Sequence, residues 1–248
     1  MTFTALTKRP ASGIIGPLLT SLFIVAAALT GFAVGPPAQR VAKAASQAAM
    51  EEPVKAVGTR GAPITMVVFS DYECPSCRSL YEQTLRPLIA DYVANGKVYL
   101  IHKDFPLQMH RYSWEAARWV NAAATIGKYP DVEAALYDNQ SSWVADGNIE
   151  KYVAGALSSS EMKRVQKLME PCRPEVTGLR PNWTGGEPVA DACPLDIFIE
   201  RDYAQGMKIP IQATPTYLFM YKGQTYPAGT GVVSWPLLKQ FMDQLQKQ

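Results

Sequence analysis

A run rich in β-branched residues, Ile64-Thr65-Met66-Val67-Val68-Phe69, is followed after four residues by Cys74-Pro75-Ser76-Cys77. Behind the second cysteine, Leu80, Tyr81, Thr84, Leu85, Leu88 and Tyr92 recur at helical spacing until Asn95-Gly96. The pattern predicts a buried strand, a short loop, and a helix that opens with two thiols on its first turn. Few folds present that arrangement, and it has a chemical consequence. The first N–H groups of a helix lack intrahelical partners, and with the helix dipole they stabilise an anion. A thiolate is the reactive form of cysteine, and such placement lowers a thiol pKa to ~3.5–7.5. Cys74, at the helix start, is therefore the expected nucleophile and Cys77, one turn in, the resolving thiol. Pro75 fits the first turn because its missing N–H is one the helix would leave unpaired anyway.

Other uses of a Cys-x-x-Cys pair fit less well. A zinc site needs two more ligands, usually a second close pair. Cys172 and Cys193 stand 21 residues apart, and His102 and His110 are eight apart. A purely structural bridge across two residues closes a very small loop and stabilises little. No metal is expected.

The rest of the chain supplies the frame. Val98-Tyr99-Leu100-Ile101 reads as a second strand, and Pro87 predicts a kink in the first helix because it has no N–H to donate. From Trp114 to about Met207 the pattern is mostly helical, with Ala116, Val120, Ala123 and Ala124 on one stripe and a further helix at Glu161 to Met169. Residues 173–192 hold three Pro and three Gly and read as a loop. Tyr217 to Tyr221 and Gln224 to Tyr226 flank Lys222-Gly223, a hairpin signal. Ser234 precedes a last helix whose apolar face is Leu237, Leu238, Phe241, Met242 and Leu245. Strand, helix, strand, helical block, hairpin and helix in that order predict an α/β, thioredoxin-like fold with a helical insertion at about 128–208.

The N-terminus predicts export. Lys8 and Arg9 are followed by 30 residues without charge, up to Arg40, with an apolar heart from Ile14 to Val34. About 20 apolar residues cross a bilayer, whereas secretory signals use ~7–15. The length favours an uncleaved anchor over residues 1–35. The rival is a signal peptide cut after Ala42-Lys43-Ala44, ten residues beyond Val34. Residues 36–55 read as a linker and 56–248 as the folded domain. The first 50 residues carry +4 of the chain's net +2, so residues 51–248 carry −2. A mildly acidic domain without a basic run argues against nucleic acid as a partner.

Three segments carry a family resemblance. Phe69-Ser70-Asp71-Tyr72-Glu73-Cys74-Pro75-Ser76-Cys77, Asp104-Phe105-Pro106-Leu107 with His110, and Ala213-Thr214-Pro215-Thr216-Tyr217 resemble, in that order, the signatures of the DsbA-like thiol–disulfide oxidoreductases, in particular a branch with many membrane-anchored bacterial members. The resemblance spans about residues 53–248, with the loop at 173–192 as an extra insertion. It implies an enzyme that passes the Cys74–Cys77 disulfide to substrate proteins through a mixed disulfide, without metal or organic cofactor. It implies a cis peptide before Pro215, against Cys74, and a Thr214 backbone able to pair with an extended substrate; an ordinary trans proline is the alternative. It further implies a single-pass inner-membrane protein with its domain in the periplasm or an equivalent space, reoxidised by a membrane partner related to DsbB or vitamin K epoxide reductase. A reductase or isomerase of the same fold, and a non-catalytic thiol metal-binding or chaperone module, are the competing functions.

One departure stands out. Thioredoxin and the best-known DsbA proteins carry a buried acid six residues before the first cysteine, where this chain has Val68. The proton acceptor for Cys77 is thus left open; Asp71 and Glu73 are expected to be solvated, and His110 is the weaker candidate. Cys172 and Cys193, exported to an oxidising space, are expected to form a structural disulfide closing the loop between them; separate buried thiols or a relay to Cys74–Cys77 are the alternatives.

Overall fold

The computed structural model describes residues 53–172, 193–209 and 211–247. The expected anchor, nearly all of the expected linker and the Pro- and Gly-rich loop at 173–192 lie outside the described residues. Among the described residues, no helix is long and apolar enough to cross a membrane.

Five strands form one sheet: β1 (Ala56–Val57), β2 (Ile64–Ser70), β3 (Val98–Asp104), β4 (Thr216–Tyr221) and β5 (Gln224–Thr230), in the order β1-β3-β2-β4-β5. β2 and β3 are parallel and every other pairing is antiparallel. The parallel pair needs a crossover, supplied by α1, which starts at Pro75–Leu80. It runs on through π-helical turns at Tyr81–Leu85 and Ile89–Val93 around an α-helical Arg86–Leu88. The predicted disturbance at Pro87 takes this form. A proline in a helix loses its own hydrogen bond and crowds the carbonyl four residues back, and π turns are a common accommodation of such a break.

β2 is covered on both faces, which is why its sequence is a near-continuous apolar run. Alternate side chains point to opposite faces of a strand. Ile64, Met66 and Val68 enter the main core under α1 and the helical block. Val67 and Phe69 enter a smaller core with Ile101, Phe105, Tyr203, Ile209 and Leu218.

Between β3 and β4 lie α2 (Ser113–Ala124), α3 (Tyr129–Asp138), α4 (Gln140–Asp146), α5 (Ile149–Ala156), α6 (Ser159–Met169) and α7 (Asp196–Lys208). α2 is buried nearly all round, as a helix at the centre of a block must be. α6 opens with a capping box in which Ser158 and Glu161 satisfy each other's backbone N–H groups. The β4–β5 turn places Lys222 and Gly223 at φ 49° and 74°, the left-handed pair that a two-residue hairpin requires. The last helix, α8 (Trp235–Gln246), has Ser234 at its N-cap position without a side-chain capping bond.

A buried ionic cluster ties the layers together. Lys55 pairs with Asp104 and reaches Asn121 at 3.0 Å, while Lys103 meets Asp202 at 3.0 Å. β3, α2 and α7 are thereby joined to the residue that precedes β1.

Candidate active site

The site forms where β2 ends. In β2 and β4, Val68 pairs with Tyr217 and Phe69 with Thr216. That register sets the residues just before β4 beside the loop leaving β2. The peptide bond between Thr214 and Pro215 is cis. The Cys74 thiol donates to the Thr214 carbonyl at 3.4 Å. Cys74, Thr214 and Pro215 therefore meet, although 140 residues separate the first two in sequence.

Cys74 occupies the N-cap position with an extended backbone, and Pro75 follows in the first turn. Both cysteines are free thiols, Cys74 7 % exposed and Cys77 1 %. Pro75 and Ser76 face solvent. The Cys74 thiol is pulled down to about 5, chiefly by the hydrogen bond it receives from Cys77, against the burial that raises it, and further by the N–H groups of Cys77 and Ser76. Cys77 moves the other way: burial pushes its thiol well up, and the neighbouring Cys74 adds to this. One thiol is thus ready to ionise at neutral pH while its neighbour holds its proton. That is the division of labour between an attacking and a resolving cysteine.

The loop carrying these thiols is held by residues from distant elements. Asp71, expected in solvent, is buried. Its carboxylate accepts from the N–H groups of Glu73 and Leu107 at 2.8 Å each, from the Ser113 hydroxyl, and faces His110 Nδ1 at 2.8 Å. The reason is geometric: the loop after β2, the loop after β3 and the start of α2 leave N–H and O–H groups pointing into one corner, and a short carboxylate satisfies them all. Glu73 is half-buried and accepts from the Tyr112 N–H at 2.6 Å, and burial raises its pKa. His110 is raised by its bond to Asp71. From α4, the Gln140 amide donates to the carbonyls of Tyr72 at 2.7 Å and Cys74 at 3.0 Å. Sequence reasoning missed Gln140, since nothing local marks a partner 66 residues away. For Asp71 the available signal was its place in the Ser70-Asp71-Tyr72-Glu73 loop, a position where Asp caps backbone groups.

Cys172 and Cys193 are joined by a disulfide and lie in the main core, apart from the Cys74–Cys77 pair. Arg118 donates to the Cys172 carbonyl at 3.1 Å and grips both carboxylate oxygens of Asp196. Among the described residues, no group of three or more His, Cys, Asp or Glu side chains is placed to hold a metal.

A thioredoxin fold that carries an ionisable thiol at a helix start, a buried partner one turn on, and a cis-proline loop against them defines a protein thiol–disulfide oxidoreductase. This chain belongs to the thioredoxin family: the family model described as thioredoxin matches residues 51–174. Among solved structures, it resembles alpha-DsbA1 of Wolbachia pipientis with 18% identity and a TM-score of 0.57, covering 77% of this chain and 89% of that one. Oxidised BdbD of Bacillus subtilis matches with 18% identity and a TM-score of 0.57, covering 78% and 92%. ScsC of Proteus mirabilis matches with 17% identity and a TM-score of 0.54, covering 85% and 82%. At such identities the likeness is one of fold, and the fold is DsbA-like. A curated relative, the Na(+)/H(+) antiporter NhaA 3 of Salinispora tropica, is 34% identical over 84 residues. That match covers 34% of this chain and 12% of the antiporter, so the chain spans only a small part of that relative's length.

Proposed function

We propose that this protein is a membrane-tethered, extracytoplasmic oxidase of protein thiols. Its Cys74–Cys77 disulfide passes to a reduced client: a client thiolate attacks Cys74, Cys77 leaves, and a second client thiolate displaces Cys74. The observation that carries the direction is the Cys74 thiol held at about 5. A dithiol that ionises so readily is stabilised at neutral pH, and stabilising the reduced form makes the disulfide a better oxidant. The exposed approach over Pro75 and Ser76, beside the Thr214 backbone, supports capture of an extended client segment by strand addition. The long uncharged stretch after Arg9 supports the tether, and the Cys172–Cys193 bridge supports an oxidising compartment. Reoxidation by a membrane protein related to DsbB or vitamin K epoxide reductase follows from the family resemblance.

The redox state of Cys74–Cys77 in the cell tests the direction. A mostly oxidised pair, with oxidative refolding of a reduced client by the purified protein, is expected. A mostly reduced pair with strong insulin reduction assigns the reductase or isomerase role instead. Ser76 brings no positive charge beside the thiolate, so equilibration with glutathione should give a potential more negative than about −120 mV, the value of the strongest oxidants of this type. Fractionation should find the chain with the membranes; a soluble chain beginning near Ala45 would mark a cleaved signal.

A further inference from the structure

The loop that carries Cys74 is held from the helical block as well as from the sheet. Gln140, the first residue of α4, is 4 % exposed. Its amide nitrogen donates to the Tyr72 carbonyl at 2.7 Å and to the Cys74 carbonyl at 3.0 Å. A primary amide has two N–H donors on one nitrogen, and here both are spent on peptide units two residues apart. A buried amide is costly unless it is paired. An apolar side chain of the same length would fill this place at less cost if packing were all that it required.

The two carbonyls differ in need. Tyr72 is buried in the loop between β2 and α1, outside any helix or strand ladder, so its carbonyl must find a donor elsewhere. Cys74 stands at the N-cap, and its carbonyl already accepts the Cys77 and Arg78 N–H groups at 3.1 and 3.2 Å. The helix start is closed by those two bonds. What the third donor fixes is the peptide unit that joins Cys74 to Pro75, and with it the direction of the Cys74 side chain. That direction matters because the sulfur has fixed partners. It lies 3.4 Å from the Thr214 carbonyl, and the Cys77 thiol and the N–H groups of Cys77 and Ser76 bear on it. Such N–H groups stabilise a thiolate only where the sulfur stands over the helix end.

Gln140 keeps its aim because its support is rigid. The Asn139 carbonyl accepts from the Ser142 and Trp143 N–H groups at 2.9 and 3.1 Å. The fully buried Trp143 ring donates to the Leu136 carbonyl at 2.7 Å, closing the turn between α3 and α4. On either side of Gln140, Asp138 pairs with Arg86 and Ser141 accepts from Arg78 at 3.0 Å, both arginines on α1. Exposed contacts of this kind contribute little energy, and their effect is alignment. α3 is itself seated on the sheet. Tyr137 Oη lies 2.9 Å from Ser70 Oγ at the end of β2, and Glu133 lies 2.7 Å from His102 Nδ1 of β3.

We propose that Gln140 is a positioning residue for Cys74: its buried amide locks the Tyr72 and Cys74 carbonyls so that the Cys74 sulfur stands over the helix end, between Cys77 and the Thr214 carbonyl. The helical insertion thereby acts on the reacting sulfur without touching the client. This deepens the exchange reading above and rests on it.

The test replaces Gln140 in two ways. Gln140→Met keeps the length and removes both N–H groups. Gln140→Asn keeps them on a side chain too short to reach both carbonyls. Iodoacetamide labelling of Cys74 in the reduced protein should show a midpoint raised by about one pH unit. The charges of Cys77, Asp71, Glu73 and His110 around it are common to wild type and variants. At neutral pH such a rise removes about tenfold of the stabilisation of the reduced form. Glutathione disulfide oxidises the two protein thiols and yields two glutathione thiols. That equilibrium should shift about tenfold towards the protein disulfide, or about 30 mV. A purely structural role would lower the melting temperatures of the oxidised and reduced forms alike and move neither quantity. An unchanged midpoint and equilibrium in a folded variant overturns the proposal. If neither variant folds, the wild-type protein decides: with isotope labelling, the side-chain amide resonances of Gln140 should move as Cys74 titrates, and resonances that stay fixed overturn it. A wild-type protein that exchanges no disulfide with glutathione, while Gln140→Met still raises the Cys74 midpoint, overturns the exchange reading and upholds the positioning role.

Discussion

The two active-site thiols differ because of what surrounds each sulfur within one helical turn. Cys74 meets N–H groups and a thiol donor at a helix end; Cys77 meets the core. The alkylation rate of Cys74 should therefore follow a titration centred at about 5 and be flat by neutral pH. The largest contribution is the hydrogen bond from Cys77, so Cys77→Ala should move that midpoint upward, as the pH dependence of iodoacetamide labelling would show. An unchanged midpoint would mean that the helix end alone sets it. The sign for stability follows by linkage. The folded pKa of Cys74 lies below its ordinary 9.0. Its contribution to the reduced fold is complete above that pH and is lost as pH falls through about 5.

Among the elements, α7 and the strand pair β2–β3 are fitted closely through one residue without a side chain. A Cβ on Gly206 would lie 2.6 Å from the ring of Phe105, which stacks on Tyr203 with centroids 4.4 Å apart. A ring packed on two sides cannot swing away. Gly206→Ala should cost ~1–3 kcal/mol by overpacking, read as a lower denaturant midpoint, despite the better helix propensity of alanine. The Cys172–Cys193 bridge acts at the same scale, closing 21 residues of chain between α6 and α7. In the chain-entropy account such a loop is worth ~3 kcal/mol. Replacing both cysteines with Ala should lower the melting temperature and leave exchange through Cys74 and Cys77 largely intact. Loss of turnover would instead tie the second disulfide to the first.

For the whole molecule, the buried Lys55, Lys103, Asp104 and Asp202 cluster decides how the described N-terminal residues and the helical block are held to the sheet. Burial pushes the Asp202 carboxyl up, but Lys55, Lys103 and Arg201 outweigh this and leave it below its ordinary 3.8. Its stabilisation is thus present above that value and lost as pH falls below it. Asp202→Asn should cost ~3–5 kcal/mol at neutral pH, because the lysines would stay buried with a partner removed. It should also flatten the acid limb of the stability curve, which denaturation at several pH values would reveal.

The sequence by itself determined four of the five sheet strands, all but the two-residue β1, together with the helix that carries Cys74 and Cys77 and the hairpin at Lys222-Gly223. Each is written in a local period or a pair of adjacent residues. Three short motifs also pointed to the thioredoxin-like frame. What surrounds the thiols was decided only by the tertiary structure. Asp71 reads as a solvated loop carboxylate until Leu107, His110 and Ser113 converge on it. Gln140, Tyr137 and Glu133 look like ordinary helix residues until α3 and α4 fold over the end of β2. Burial and long-range hydrogen bonds arise between residues tens of positions apart, and no local pattern encodes them. The thiol chemistry was therefore legible in the Cys-x-x-Cys segment, and the distant groups that bury and hold that segment were not.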